Sequence, residues 1–307
     1  MKYYEGLLIK AACRLVWAKK EVQKVLEKTG VKVVPCNFYS SVPSITEIEN
    51  SFEYSSAQPP YAASPIFGLP ETSLDLLETL TGYSSEFQPT EDGSEESPVG
   101  FFWKNSQFSH SDAMSYFAFI RHFKPNRIVE IGAGFSTLVA MDAIAKNRTG
   151  EITCVEPFPR AFLEKTDKIF LKKMPAQEIT IEWLNSYLCD GDILFIDSTH
   201  TVKTGSDCLH IYLRLLPCLK HDVYVHAHDI FLPFGMPRDW LLDQHIYWTE
   251  QYLLLAFLLD NPKTEFLFGS SYHKWANEKL LSEFMHGRAM PGGGSFWFRY
   301  CGSRNLR

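Results

Sequence analysis

The stretch "RIVEIGAGFSTLVAMDAIAKN", residues 127–147, decides the fold. It opens as a short apolar, β-branched run, turns through Gly132 and Gly134, and continues with apolar residues at helical spacing. Paired glycines let a turn tighten and let the backbone approach a ligand, and the helix that follows offers free N–H groups. A GxG turn is weak evidence by itself. Between a strand and a helix it stands in the context that a nucleotide-binding motif requires.

Working outward, the same alternation persists. Apolar runs at "EITCVEP", "IFLKK", "DILFID" and "VYVHAHD" read as strands, with helices at "PRAFLEKTD", "EWLNSYL" and "KTGSDCLHIYLRLLPCL" between them. Upstream, "SDAMSYFAFIRHF" reads as a helix. Downstream, "HIYWTEQYLLLAFLLDNP" predicts one long helix, and "TEFLFG" and "GSFWFRYC" two closing strands with Gly292, Gly293 and Gly294 in the turn between them. Strands alternating with helices over more than a hundred residues predict an α/β doubly wound domain over 110–307. Residues 1–109 predict an N-terminal helix and an aromatic, Pro-rich cap, with loops from about 35 to 100.

The 307 residues carry a net charge of -6, without the basic stripe of a nucleic-acid binder. Seven scattered cysteines form no CxxC pair; most have apolar neighbours and read as small core residues in a reducing, cytoplasmic setting. The N-terminal stretch has too many charges for a signal peptide or a membrane span. Its Leu8, Ala11, Ala12, Leu15 and Val16 form a stripe. That stripe predicts packing on its own domain or on a second subunit, compatible with a homodimer, although a membrane-surface helix shares the pattern.

In a doubly wound sheet, ligands bind beyond the carboxyl ends of the strands, where strand order reverses. Glu156, at the end of the second strand, stands where a carboxylate accepts hydrogen bonds from ribose hydroxyls. A dinucleotide fingerprint would have a third glycine where this chain has Thr137, and Glu130 is foreign to the usual NAD pattern. "VEIGAGFST" resembles the glycine motif of class I S-adenosylmethionine-dependent methyltransferases, and "GDILFIDSTH" their fourth-strand motif. The resemblance runs over about residues 110–303, with its parts in order. Ser136 in place of a further glycine is similar to a subgroup of small-molecule O-methyltransferases.

The resemblance implies a Rossmann-like sheet of seven strands with the last antiparallel. It implies S-adenosylmethionine as cofactor, with Glu130, Gly132, Ala133, Gly134, Ser136, Thr137, Glu156 and Asp197 as its binding residues. Gln177 and Glu178 would flank the adenine, although they equally suit the start of a helix.

Methyl transfer from a sulfonium is an in-line displacement, so the enzyme mostly supplies positioning and a deprotonated nucleophile. Asp197, Ser198 and His200 project from the end of the fourth strand, and His226, His228 and Asp229 from the fifth. Alternation puts Val223, Val225 and Ala227 on one face and Tyr224, His226 and His228 on the other. By resemblance to catechol-type methyltransferases, Asp197 and Asp229 would hold Mg²⁺ or another divalent ion, with His200 or His228 as base or further ligand. The alternative is an Asp197 that contacts cofactor or substrate without a metal. His226 suits a hydrogen-bonded packing role.

Softer candidates for the pocket are Tyr39, Trp103, Asn105, Phe108, Phe231, Pro233, Arg238 and Trp240. The expectation is methyl transfer to a small molecule at oxygen, with no nucleic-acid or membrane partner. The alternative is a metal-dependent hydroxylase or hydrolase of natural products on the same fold. An NAD-linked oxidoreductase is disfavoured by Glu130 and Thr137. A non-catalytic module is disfavoured by Glu156 and the polar strand ends.

Overall fold

A computed structural model of the protein describes residues 2–68, 70–108, 110–288 and 293–303; Gly292 of the expected turn lies outside them. The N-terminal part contains helices α1 (Lys2–Val16), α2 (Lys20–Lys28), α3 (Ile45–Glu49) and α4 (Pro70–Ser84). Then follow α5 (His110–Phe123), β1 (Arg127–Ile131), α6 (Phe135–Asn147), β2 (Glu151–Val155), α7 (Ala161–Glu164), β3 (Phe170–Lys172) and α8 (Ile181–Tyr187). The chain continues through β4 (Asp192–Ile196), α9 (Asp207–His210), β5 (Val223–Ala227), α10 (Arg238–Leu242) and α11 (Glu250–Leu258). It closes with β6 (Thr264–Gly269), α12 (Ser270–Ala276), α13 (Glu278–Phe284) and β7 (Phe296–Tyr300).

The sheet order is β3-β2-β1-β4-β5-β7-β6, parallel except for β7, which runs antiparallel to both neighbours. The expected seven-stranded, doubly wound sheet is therefore present. Strand order reverses between β1 and β4, so the crevice falls at their carboxyl ends. Both faces are covered. On one, Phe117 of α5 and Val139 of α6 pack with Phe195 and Trp297. On the other, Leu184 of α8, Leu215 and Leu254 of α11 pack with Val129, Leu194 and Val225. Phe119 stacks on Trp297 at 3.9 Å between ring centroids, and burying each such ring contributes roughly 1.5–3 kcal/mol.

Four sequence expectations are corrected. The long helix over 245–262 shrinks to α11, because the Thr249 and Glu250 N–H groups donate to the His200 carbonyl while residues before them bend away. Two helices, α12 and α13, occupy the connection expected to be a glycine turn between β6 and β7. The 35–100 region contains α3 and α4, and Leu77 and Leu80 of α4 join the same core as Phe117 and Phe195. Of the cysteines, Cys154 and Cys208 are buried, but Cys13, Cys36, Cys189 and Cys218 are exposed. Short apolar runs at helix ends and turns do not guarantee an inward side chain.

Unlike α4, helices α1 and α2 are largely exposed. None of α2 is buried, and Leu7, Leu8, Ile9 and Trp17 stand exposed. Among the described residues no helix is long and apolar enough to cross a membrane.

Candidate active site

Four strand tips, those of β2, β1, β4 and β5, are tied side by side. Gly132 N–H donates to the Val155 carbonyl (3.0 Å), Asp197 N–H to Ile131 (2.8 Å) and His228 N–H to Ile196 (2.9 Å). Gly132 has φ +87°, and a Cβ there would lie 1.7 Å from the Asp197 carbonyl oxygen. Only glycine allows β1 to leave the sheet this close to β4. The glycine turn and the polar strand ends thus share one edge.

Around the turn, Glu156 is half-buried. Its carboxylate accepts from Phe158 N–H (2.8 Å) and, at 3.4 Å, from Ala133 N–H in the glycine loop. Gln177 is exposed, its amide donating to the Gly205 carbonyl (3.2 Å), and Glu178 is exposed beside it. Ser136 is buried in the first turn of α6. Glu130 faces inward and is fully buried: one oxygen accepts from the Tyr116 hydroxyl (2.9 Å) and the other from Thr137 (2.5 Å). Burial raises its pKa to about 7 against those donors.

At the tips of β4 and β5 the charged groups converge. His200 Nε2 is 3.2 Å from Asp197 Oδ1 and 3.5 Å from Asp229 Oδ2. Potential ligand atoms of Asp197, His200 and Asp229 all lie within 4.8 Å of one another, as a shared cation requires. His228 Nδ1 is 3.5 Å from both carboxylates. Its backbone faces as strand alternation predicts, opposite the Val223, Val225 and Ala227 side.

Two further carboxylates complete the cluster. Glu250 at the start of α11 binds His200 Nδ1 at 2.8 Å and accepts from the Tyr212 hydroxyl at 2.7 Å. Asp112 of α5 lies 3.4 Å from His228 Nε2 and accepts from Ser295 N–H (2.8 Å) and the Ser270 hydroxyl (3.2 Å). Sequence reading missed both. The signal was a carboxylate set into an otherwise apolar helical run, at "SDAMSYF" and "TEQYLLLAF".

Burial alone would deprotonate both imidazoles, but the surrounding carboxylates win. Hydrogen bonds to Asp197 and Glu250 raise the His200 pKa to about 10. Asp229, Asp197 and Asp112 hold that of His228 well above the ordinary value. Asp197 is correspondingly held well below the usual carboxylate range by His228 and His200, despite its burial cost. Even with both imidazoles protonated, four carboxylates leave negative charge uncompensated. Neither nitrogen of buried His228 reaches hydrogen-bond geometry with a partner among the described residues. This mixed oxygen and nitrogen donor set suits a divalent cation.

Backbone conformation marks the same residues. His200 (φ 56°) and Asp229 (φ 57°) both adopt left-handed backbone, a cost of roughly 1–3 kcal/mol each. Gly294 packs against Asp229 so closely that a Cβ would lie 2.6 Å from the Asp229 Cα.

His226 belongs to the interior. It is stacked on Trp297 at 4.2 Å and bound to Ser295 through Nε2 (2.7 Å), and burial lowers its pKa well below the usual value. Phe108 lies beneath His228 at 4.8 Å, and Asn105 pins that loop through the Phe102 and Phe108 carbonyls. Trp103 is buried in the core. Tyr39 is 85% exposed. Phe231 and Trp240 pack together at 5.2 Å, Arg238 is exposed and Pro233 is buried.

Residues 129–230 match the family model described as a methyltransferase domain. A protein of Archaeoglobus fulgidus, described as uncharacterized, is 31% identical over 173 residues, covering 53% of this chain and 77% of that one. Among solved structures, an O-methyltransferase from Bacillus cereus in complex with S-adenosylhomocysteine is 11% identical, with a TM-score of 0.40, over 74% of this chain and 90% of that one. The O-methyltransferase TomG from Streptomyces achromogenes, involved in tomaymycin synthesis and solved with S-adenosylmethionine, is 13% identical, with a TM-score of 0.39, over 75% and 90%. The matched domain runs from the first strand to the tip of the fifth, on a sheet whose order reverses at the glycine turn. The chain belongs to the class I S-adenosylmethionine-dependent methyltransferases.

Proposed function

We propose that this methyltransferase acts on a hydroxyl of a small-molecule acceptor, at a divalent cation held by Asp197 and Asp229 with His200 as third ligand. The observation that carries this reading is the convergence of those three side chains at the tips of β4 and β5. A divalent ion there would supply positive charge that lowers the acceptor's pKa, standing in for the protons otherwise held on His200 and His228. The chain's own residues do the rest. Glu250 fixes the His200 ring so that Nε2 faces the site. Asp112 backs His228, leaving its Nδ1 to receive the acceptor proton.

In the same reading Gly132, Ala133 and Gly134 lie along the amino-acid part of the cofactor and Glu156 takes the ribose. Gln177 borders the adenine, and Glu130, Ser136 and Thr137 support the loop from beneath. The half-exposed position of Glu156 beside the glycine turn supports this. The exposed helical pair Lys2–Lys28 is read as a dimer contact, and seven free cysteines suit a reducing cytoplasm.

Manganese titration of the intact protein tests the cation site. We expect saturable binding that D229A abolishes and that E250Q weakens about 10- to 100-fold. Equal binding by D229A and the unaltered protein would contradict the assignment. Isotopic methyl transfer to a panel of hydroxyl-bearing small molecules, with and without chelator, tests the chemistry; activity indifferent to chelator would remove the metal from it.

A further inference from the structure

Between the N-terminal segment and the loops after β5 lies a cavity of about 320 Å³, with Ile48, Glu53, Tyr54, Met236, Trp248 and Tyr252 among its walls. It adjoins the strand-tip cluster. The Trp248 ring lies 4.4 Å from the His200 ring, and Thr249 N–H donates to the His200 carbonyl at 2.8 Å. A molecule in this cavity would therefore lie against Trp248 and Thr249, the two residues that contact His200 from that side.

Four aromatic rings, Tyr54, Tyr247, Trp248 and Tyr252, face a polar side that carries two carboxylates, Glu47 and Glu53. Glu47 is engaged by the Ser44 N–H and hydroxyl (2.7 and 2.8 Å), which leaves Glu53 as the carboxylate set among the rings. That carboxylate accepts from the Tyr61 hydroxyl (2.6 Å) on one oxygen and from the Tyr252 hydroxyl on both (2.9 and 3.0 Å). Among the described residues no ion pair forms with Glu53; its defined partners are these two phenols. Both phenols have their pKa pushed up, first by burial and then by the Glu53 charge. A neighbouring cavity of about 430 Å³ shares Glu53 and Tyr54 but also has Lys274 and Arg238, the latter 5.9 Å from the Tyr54 ring; the cavity beside Trp248 has no Lys or Arg among its lining residues, so there negative charge faces aromatic walls.

Aromatic faces present negative quadrupole, and with a fixed carboxylate they form an environment for an ammonium group. A carboxylate-bearing ligand would meet repulsion there. A neutral one would cover the Glu53 charge without pairing it, which costs free energy. We propose that this cavity is the acceptor subsite and that Glu53 selects a small aromatic or apolar acceptor bearing an amine. This deepens the methyl-transfer reading and rests on it.

Calorimetric titration of the full chain with phenethylamine, 2-phenylethanol and 3-phenylpropionate, with and without S-adenosylhomocysteine, tests the proposal. We expect the amine to bind about tenfold tighter than the alcohol, with the carboxylate weakest. E53Q should bring amine and alcohol to equal affinity. E53D, which keeps the charge and shortens its reach, should reduce the amine preference without erasing it, and it decides the matter should E53Q fail to fold. Equal binding of amine and alcohol to the unaltered protein, or an undiminished amine preference in both variants, overturns the proposal. S-adenosylhomocysteine affinity in the same samples reports separately on the methyltransferase reading.

Discussion

Glu130 shows how one residue can look like a ligand in sequence and act as a clasp in the fold. It directly precedes the glycine loop, yet its carboxylate is held inside by Tyr116 and Thr137. Burial raises its pKa from 4.5 to about 7. A raised pKa means the folded state binds the proton more tightly than the unfolded chain does. The resulting stability is full below pH 4.5 and is lost as pH rises through about 7. Over that window the unaltered protein should lose up to about 3 kcal/mol relative to E130Q, as read by urea unfolding at several pH values. Parallel pH profiles would contradict the burial. At the same scale, Asp197, His200, His228 and Asp229 were legible because strand ends are short in sequence and fixed in direction. Asp112 and Glu250 were not, because each reaches the cluster from a helix far away in sequence: Asp112 is 116 residues from His228 (228 − 112), and Glu250 is 50 from His200.

Element by element, strands and turn chemistry were easier to read than helices. The β-branched runs of β1, β2, β4 and β5 stand out, and Gly132 marks where β1 must leave the sheet. G132A should cost at least about 2 kcal/mol, since it adds left-handed strain and drives a Cβ into the Asp197 carbonyl. Cofactor affinity should fall with it, because the same displacement moves the tip of β4. Unfolding and S-adenosylhomocysteine titrations of that variant check both; a variant as stable as the parent would contradict the close approach. Helix α4 escaped notice because its buried face alternates Ser73, Leu77, Leu80 and Ser84, which hides an apolar stripe. Those serines are satisfied across the interface, Ser73 by His273 of α12 (3.0 Å) and Ser84 by His286 (2.9 Å). A tertiary partnership of that kind leaves no local periodicity to detect.

For the whole molecule, alternation of strand and helix was enough to specify the doubly wound sheet, since a parallel strand pair needs a covering crossover. The connection between β6 and β7 was misjudged, because an antiparallel pair permits a tight turn without requiring one. Helices α1 and α2 leave Leu8, Ile9 and Trp17 largely exposed among the described residues. If a second copy covers them, sedimentation should show a dimer for the full chain and a monomer once residues 1–28 are removed; the same mass per particle in both would count against that contact. The central claim is that the crevice over β1 and β4 receives S-adenosylmethionine. Calorimetric titration with S-adenosylmethionine and, in parallel, NAD tests it most directly. The account predicts saturable binding of one S-adenosylmethionine per chain and no heat from NAD; saturable NAD binding with no response to S-adenosylmethionine would contradict it.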